Sequence, residues 1–240
     1  MHFTSEQRLD GGVLERGFTL GEIPGVLWTP TSAPAPLILV GHPGGLRQMY
    51  PRLAGRALQM AAYGFASVAI ELPGSGDRPR SAAAEQARAD LRRALEVGEP
   101  VDEIVDALVL PLVDGAVPEW QATLDAVLSL PEIGGPVGFS GGVIAIGIRL
   151  AVVEPRIAAA LLFAGSFVPR TMFEEARQVT IPLQVLLQWD DEGNDRQMAL
   201  DLFDAFGSTE KTLHANLGGH TGVPSFEAGA SAQFFVRHLS

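Results

Sequence analysis

Ser140 stands in "GFSGG", Gly138 to Gly142, with a glycine two residues to either side and one directly after it. A serine hydroxyl is a weak nucleophile until an imidazole accepts its proton, and that imidazole must itself be oriented by a carboxylate. The chain has five histidines. His2 and His238 lie near the ends, His42 closes an apolar run, and His214 lies within "KTLHAN". His220, in the glycine-rich "NLGGHTGVP", follows the last strand-like run, where the carboxyl end of a parallel sheet faces a serine placed as Ser140 is. A loop histidine is by default a solvated side chain; the upstream serine makes His220 the expected base.

The acid is expected after another strand, between serine and histidine. "PLQVLLQWDDEGNDRQ" offers Asp190, Asp191, Glu192 and Asp195 there. A carboxylate a few residues past the strand can reach back beneath a loop histidine, which favours Asp191, with Asp190 the main rival. The remaining acids read as a solvated turn capping the next helix. Acyl transfer also needs backbone N–H groups aimed at a developing oxyanion, and the residue after the nucleophile, Gly141, is one expected donor. The second is expected from "GHPGGLRQ", Gly41 to Gln48. Pro43 has no N–H to give, so Gly44 is the candidate, followed by Gly45.

These residues need a scaffold that brings strand ends together. "VLERGFTL" and "GVLWTP" read as a short antiparallel pair after a polar start, and "LILVGH" reads as the first buried strand. Pro51 to Tyr63 has helical spacing with its proline in the first turn, and leads into the strand-like "FASVAIELPGSGD". The alternation continues: a helix from Pro118, a strand "PVGF" that is short, then helix, strand, strand, helix, strand and a final helix "SFEAGASAQFFVRHL". Such a pattern predicts one α/β domain, a doubly wound and mainly parallel sheet with helices on both faces. In that frame Ser140 sits on a strand-to-helix turn, expected to hold it in strained backbone geometry. Residues 78–117 exceed the minimal alternation and read as two helices inserted at the sheet's edge, either a partial lid or a helical pair covering the sheet.

Composition narrows the function classes. With 240 residues the chain can bury a sizeable core, and 28 acidic against 17 basic residues give a net charge of −11. No basic cluster with interleaved aromatics is present, so no nucleic-acid partner is expected. The absence of cysteine excludes disulfides, a thiol nucleophile and thiolate metal sites. No apolar run reaches the length of a membrane span and no leader-like segment opens the sequence, so a cytoplasmic protein with no membrane partner is expected.

The order of parts resembles the α/β-hydrolase fold family over nearly the whole chain. "GHPGG" is similar to its oxyanion loop, "ELPGSGDRP" to the loop after the following strand, "GFSGG" to its nucleophile elbow, "WDDE" to its acid turn and "GGH" to its histidine loop. Within the family, the chain looks closest to small esterases and dienelactone-hydrolase-like members, although a cysteine nucleophile is impossible here. It departs from the pattern in the proline after His42, the glycine in place of a larger residue after Ser140, and the short strand before the elbow.

The resulting expectation is a serine hydrolase acting on a small-molecule ester, thioester or lactone, with Ser140 as nucleophile, His220 as base and Asp191 as acid. Gly141 and Gly44 form the oxyanion hole, with no metal or other cofactor. Candidate pocket residues are Leu46, Met49, Phe167, Met172, Trp189 and the insertion from Arg78 to Val117, and Arg47 or Arg170 can bring positive charge to the site. An acyltransferase on the same site, and a noncatalytic ligand-binding protein of the same fold, are the alternatives.

Overall fold

The computed structural model of the protein describes residues 1–239. Its strands are β1 (His2–Arg8), β2 (Leu14–Leu20), β3 (Ile23–Thr29), β4 (Ala35–Gly41), β5 (Ala66–Ile70), β6 (Ile133–Gly141), β7 (Ile157–Phe163), β8 (Leu183–Gln188) and β9 (Lys211–Asn216). They form one sheet in the order β1-β2-β3-β5-β4-β6-β7-β8-β9. The pairings among β1, β2, β3 and β5 are antiparallel, and every neighbour pair from β5 through β4 to β9 is parallel. The helices are α1 (Leu46–Ala62), α2 (Ala82–Val97), α3 (Asp102–Leu128), α4 (Ile144–Val153), α5 (Met172–Ala176), α6 (Arg196–Ala205) and α7 (Phe226–Leu239).

β4 shows why the central strands read as unbroken apolar runs. Leu37 and Leu39 enter the core that α3, α4 and α6 cover, whereas Ile38 and Val40 enter the core under α1 and α7. Both faces are dry, so successive side chains alternate in direction without alternating in polarity. Helix α1 turns Leu53, Ala57 and Met60 inward, at the spacing of one helical face.

Several elements differ from expectation, each for an identifiable reason. The polar start is an edge strand, β1, with only Phe3 partly withdrawn from solvent; its two faces are wet, so its sequence carries no apolar alternation. Helix α1 begins at Leu46, which puts Pro51 inside it rather than in its first turn. The strand around "PVGF" is nine residues long, because two extra residues bulge out between the pairings Ala35 with Ile133 and Leu37 with Val137.

Residues 78–117 contain α2 and the first part of α3, and no break separates that part from the helix expected to start at Pro118. Val105, Val109, Val113, Ala116, Trp120, Leu124 and Val127 form one buried stripe along α3, which overrides the lost N–H groups of Pro111 and Pro118. This helix lies over the middle of the sheet rather than at its edge, with Trp120 edge-on to Phe139 of β6 at 6.3 Å. Arg78 ties the loop after β5 to α3 through a two-pronged contact with Glu119 at 2.6 Å on each arm.

Candidate active site

Ser140 lies at the carboxyl end of β6, paired with Val40 of β4, and is buried. Its backbone is not the strained element expected: among the described residues, none other than glycine has a positive φ. The turn is made by the two residues after it, Gly141 at φ +78° and Gly142 at φ +75°. Left-handed backbone is costly for a residue with a Cβ, so this pair lets the chain leave the strand and start α4 with the serine still in extended geometry. A Cβ on Gly142 would also come within 2.7 Å of the Gly41 backbone, so the tip of β4 can approach only a bare α-carbon.

A cavity of about 330 Å³ opens beside this turn, lined by Ser140, Gly141, His220, Arg56, Met49 and Phe163, among others. His220 is brought there by the loop after β9. Its Nδ1 lies 2.7 Å from Oδ2 of Asp191, and its ring stands edge-on to Phe163 at 5.6 Å. Asp191 is 8% exposed, and its other oxygen accepts from the Gly193 N–H at 3.1 Å. The carboxylate thus meets the imidazole on one side and is fixed on the other, the arrangement needed to hold a ring in one tautomer.

The other acids take different roles. Asp190, the main rival, accepts from the Gly218 and Gly219 N–H groups at 2.9 Å and so fastens the backbone that carries His220. Those N–H groups, Gly219 first, hold its carboxyl below the usual range. Asp195 caps α6 by accepting from the Met198 N–H at 3.0 Å, and Glu192 is exposed. Gln188 adds a second fastening, donating from Nε2 to the Gly219 carbonyl at 2.8 Å.

Two expectations meet a different geometry. Gly44 does not line the cavity at Ser140; it faces a neighbouring pocket with Gly45, Arg47, Glu71 and Gly76, because the chain at Gly45 turns directly into α1. The Ser140 hydroxyl, in turn, is engaged by Arg56: Oγ accepts from Nη2 at 2.7 Å, and His220 is not hydrogen-bonded to it. Arg56 also donates to the carbonyls of Ser140 at 3.1 Å and of Gly41 at 3.4 Å. Burial, with Arg52 one turn away, pushes its guanidinium down to about 10, which leaves it charged at neutral pH.

Of the apolar pocket candidates, Met49 lines the cavity, and Leu46, Phe167, Met172 and Trp189 do not. Met172 is fully buried in the main core, and Trp189 is stacked by Arg196 at 4.5 Å. Arg47 lines the neighbouring pocket, and Arg170 lies over Phe173. His42 is buried, with Nε2 donating to the Ile70 carbonyl at 2.8 Å, and burial lowers its pKa, so it is a neutral tie between β4 and β5. Glu227 reaches the cavity wall, but its oxygens are taken by Asn216 at 3.0 Å and His214 at 2.8 Å. No group of three or more His, Asp or Glu side chains is gathered for a metal among the described residues, and no helix among them is long and apolar enough to cross a membrane.

Sequence reasoning did not find Arg56. No motif marks it, but two signals bear on it: its spacing of four from Arg52 on one helix, and the small residue directly after Ser140.

The chain is similar to a cold-adapted esterase from an Arctic intertidal metagenomic library, at 28% identity and TM-score 0.78, with all of both chains covered. It shares its fold with acetyl xylan esterase 1 from Thermoanaerobacterium sp. JW/SL YS485, at 14% identity and TM-score 0.67, covering 98% of this chain and 87% of that one. An acetyl xylan esterase from a Paenibacillus species is alike in fold at 14% identity and TM-score 0.66, over 99% of this chain and 88% of that one. No protein-family model matches the sequence, and no curated protein matches it.

Proposed function

We propose, for a chain that belongs to the α/β-hydrolase fold family, that it is a carboxylesterase-like enzyme cleaving esters through an acyl-serine intermediate. The observation that carries this reading is the buried Asp191 carboxylate 2.7 Å from Nδ1 of a histidine that shares one cavity with Ser140. The esterase likeness over the full length supports the same chemistry.

In the proposed cycle the Ser140 hydroxyl turns to Nε2 of His220, the nitrogen that Asp191 leaves unprotonated. His220 takes the proton as Oγ bonds to the ester carbonyl carbon, and the π pair moves onto the carbonyl oxygen. Asp191 stabilises the imidazolium without taking its proton. The Gly141 N–H is proposed as one donor to the oxyanion. Collapse expels the alkoxide, which recovers the proton from His220, and water then releases the acid by the same steps. The cavity suits a small acyl group, since it is lined by Met49, Leu53, Met60, Phe163 and Leu186 and is closed on one side by α7.

The test is labelling with a fluorophosphonate probe followed by peptide mapping, beside hydrolysis of p-nitrophenyl esters. Wild type is expected to carry the adduct on Ser140, and Ser140→Ala to lose both adduct and turnover with its circular dichroism unchanged. Turnover that survives Ser140→Ala would falsify the assignment.

A further inference from the structure

Three observations around Ser140 converge on Arg56. The first is its contact with the nucleophile, 2.7 Å from Nη2 to Oγ. Arg16, Arg78, Arg149 and Arg156 each face a carboxylate, whereas no carboxylate pairs with Arg56 among the described residues. The charged and titratable groups that share its cavity are His42 at the end of β4, which burial keeps neutral, Arg52 on its own helix, His220, and Glu227 of α7, which is held by His214 and Asn216. A half-buried guanidinium without a counter-ion carries part of the cost of leaving water, so its retention beside a reacting atom calls for a negative charge that comes and goes.

The second observation is the shape of the turn. A Cβ on Gly141 would sit 2.9 Å from both Nη1 and Nη2 of Arg56, so the small residue after the serine is what makes room for the guanidinium. The third is the loop after β4: Pro43 has no N–H, and Gly44, the donor expected from that loop, lines the neighbouring pocket and not this cavity.

We propose that Arg56 is a catalytic residue that binds the oxyanion of the tetrahedral intermediate, in place of a second backbone N–H. This rests on the acyl-serine reading above. The oxyanion and Oγ are bonded to the same carbon in that intermediate, so a donor that reaches one reaches the other with a small shift. The Oγ–carbon bond forms, the carbonyl π pair becomes the third lone pair of the oxyanion, and the serine proton goes to His220. Arg56 keeps all its protons throughout and supplies a charge-assisted hydrogen bond that strengthens as the negative charge develops.

The experiment compares wild type with Arg56→Gln and Arg56→Ala on neutral p-nitrophenyl esters. It also measures affinity for a trifluoromethyl ketone, which adds to the serine as an anionic hemiketal, and the rate of fluorophosphonate labelling. Loss of an oxyanion donor predicts a fall in kcat of about 10²- to 10³-fold with little change in KM. Ketone affinity and labelling rate are expected to fall in parallel. Added guanidinium ion is expected to restore part of the turnover of Arg56→Ala, where equal sodium chloride does not.

Because Arg56 also holds the Gly41 and Ser140 carbonyls, Arg56→Lys is the companion if the shorter variants melt early. It keeps a charge and a donor, and is expected to retain more turnover than Arg56→Gln.

Turnover that is unchanged or faster in the variants overturns the proposal, and so does a loss confined to KM or to esters bearing a carboxylate. Labelled wild type with equally fast labelling of Arg56→Gln removes only the role of Arg56. Wild type that resists labelling removes the acyl-serine reading itself.

Discussion

Replacing Asp191 by Asn keeps the shape of the side chain and removes its charge, so it isolates what the carboxylate contributes. Oδ2 lies 2.7 Å from Nδ1 of His220. When Ser140 gives up its proton, that contact becomes one between full charges. Coulomb's law at this distance gives about 6 kcal/mol at an effective dielectric near 20, and about 1.5 kcal/mol in bulk water. Asp191 is buried but the His220 side chain is 53% exposed, so the working value lies between those limits. About 3 kcal/mol is equivalent to roughly two decades in rate. Asparagine adds a second loss, because its amide can donate to Nδ1. The ring proton then moves to Nε2, and the serine hydroxyl finds no acceptor there. The two effects together predict a fall in kcat of about three to four decades.

KM is expected to change little, since Asp191 does not line the cavity. The assay is steady-state hydrolysis of p-nitrophenyl butyrate by wild type and Asp191→Asn, with Asp190→Asn as the control of matched chemistry. A loss below tenfold for Asp191→Asn, or an equal loss in the control, would refute the reasoning, because Asp190 holds backbone and not the imidazole.

Two further outcomes follow from the turn and the loop. Gly141→Ala places a Cβ at φ +78° and 2.9 Å from the Arg56 guanidinium. The backbone conformation alone costs about 1–2 kcal/mol, so thermal unfolding should show a midpoint about 2–8 °C lower; a midpoint equal to wild type would mean that Gly141 is not held left-handed. Asp190→Ala should speed amide hydrogen exchange at Gly218 and Gly219 and lower kcat/KM by about tenfold through loss of His220 placement. Because the folded state lowers the Asp190 pKa, the fastening it gives is complete above the unfolded carboxylate value near about 4, and is lost as the pH falls through the depressed folded value. Exchange at those amides in wild type should therefore stay slow to below that pH, and fast exchange at pH 5 would contradict it.

The sequence by itself determined the order and type of the core strands, and it brought Ser140, Asp191 and His220 to the carboxyl ends of three of them. It could do so because a parallel sheet puts every strand end on one edge, so residues just past strands in the chain become neighbours in space. Of those three ends only that of β8 follows an apolar run; those of β6 and β9 are marked by the glycine-rich turns around them.

Tertiary structure decided what local pattern does not encode. β1 is held by its pairing with β2, with no apolar signature of its own. Helix α3 runs through Pro111 and Pro118 because one buried stripe continues on both sides of each proline. Asp190 and Asp191 are adjacent and chemically identical, and only the fold turns one to the backbone of the histidine loop and the other to the imidazole. Gly44 lines the neighbouring pocket and not the cavity at Ser140 because Gly45 already caps a helix. Arg56 meets Ser140 across 84 residues of chain, a contact made by the side chain that α1 extends to the end of β6. Spacing in a sequence reports neighbours along one element, whereas the charge beside a nucleophile depends on how two elements cross, and that is fixed only when the core closes.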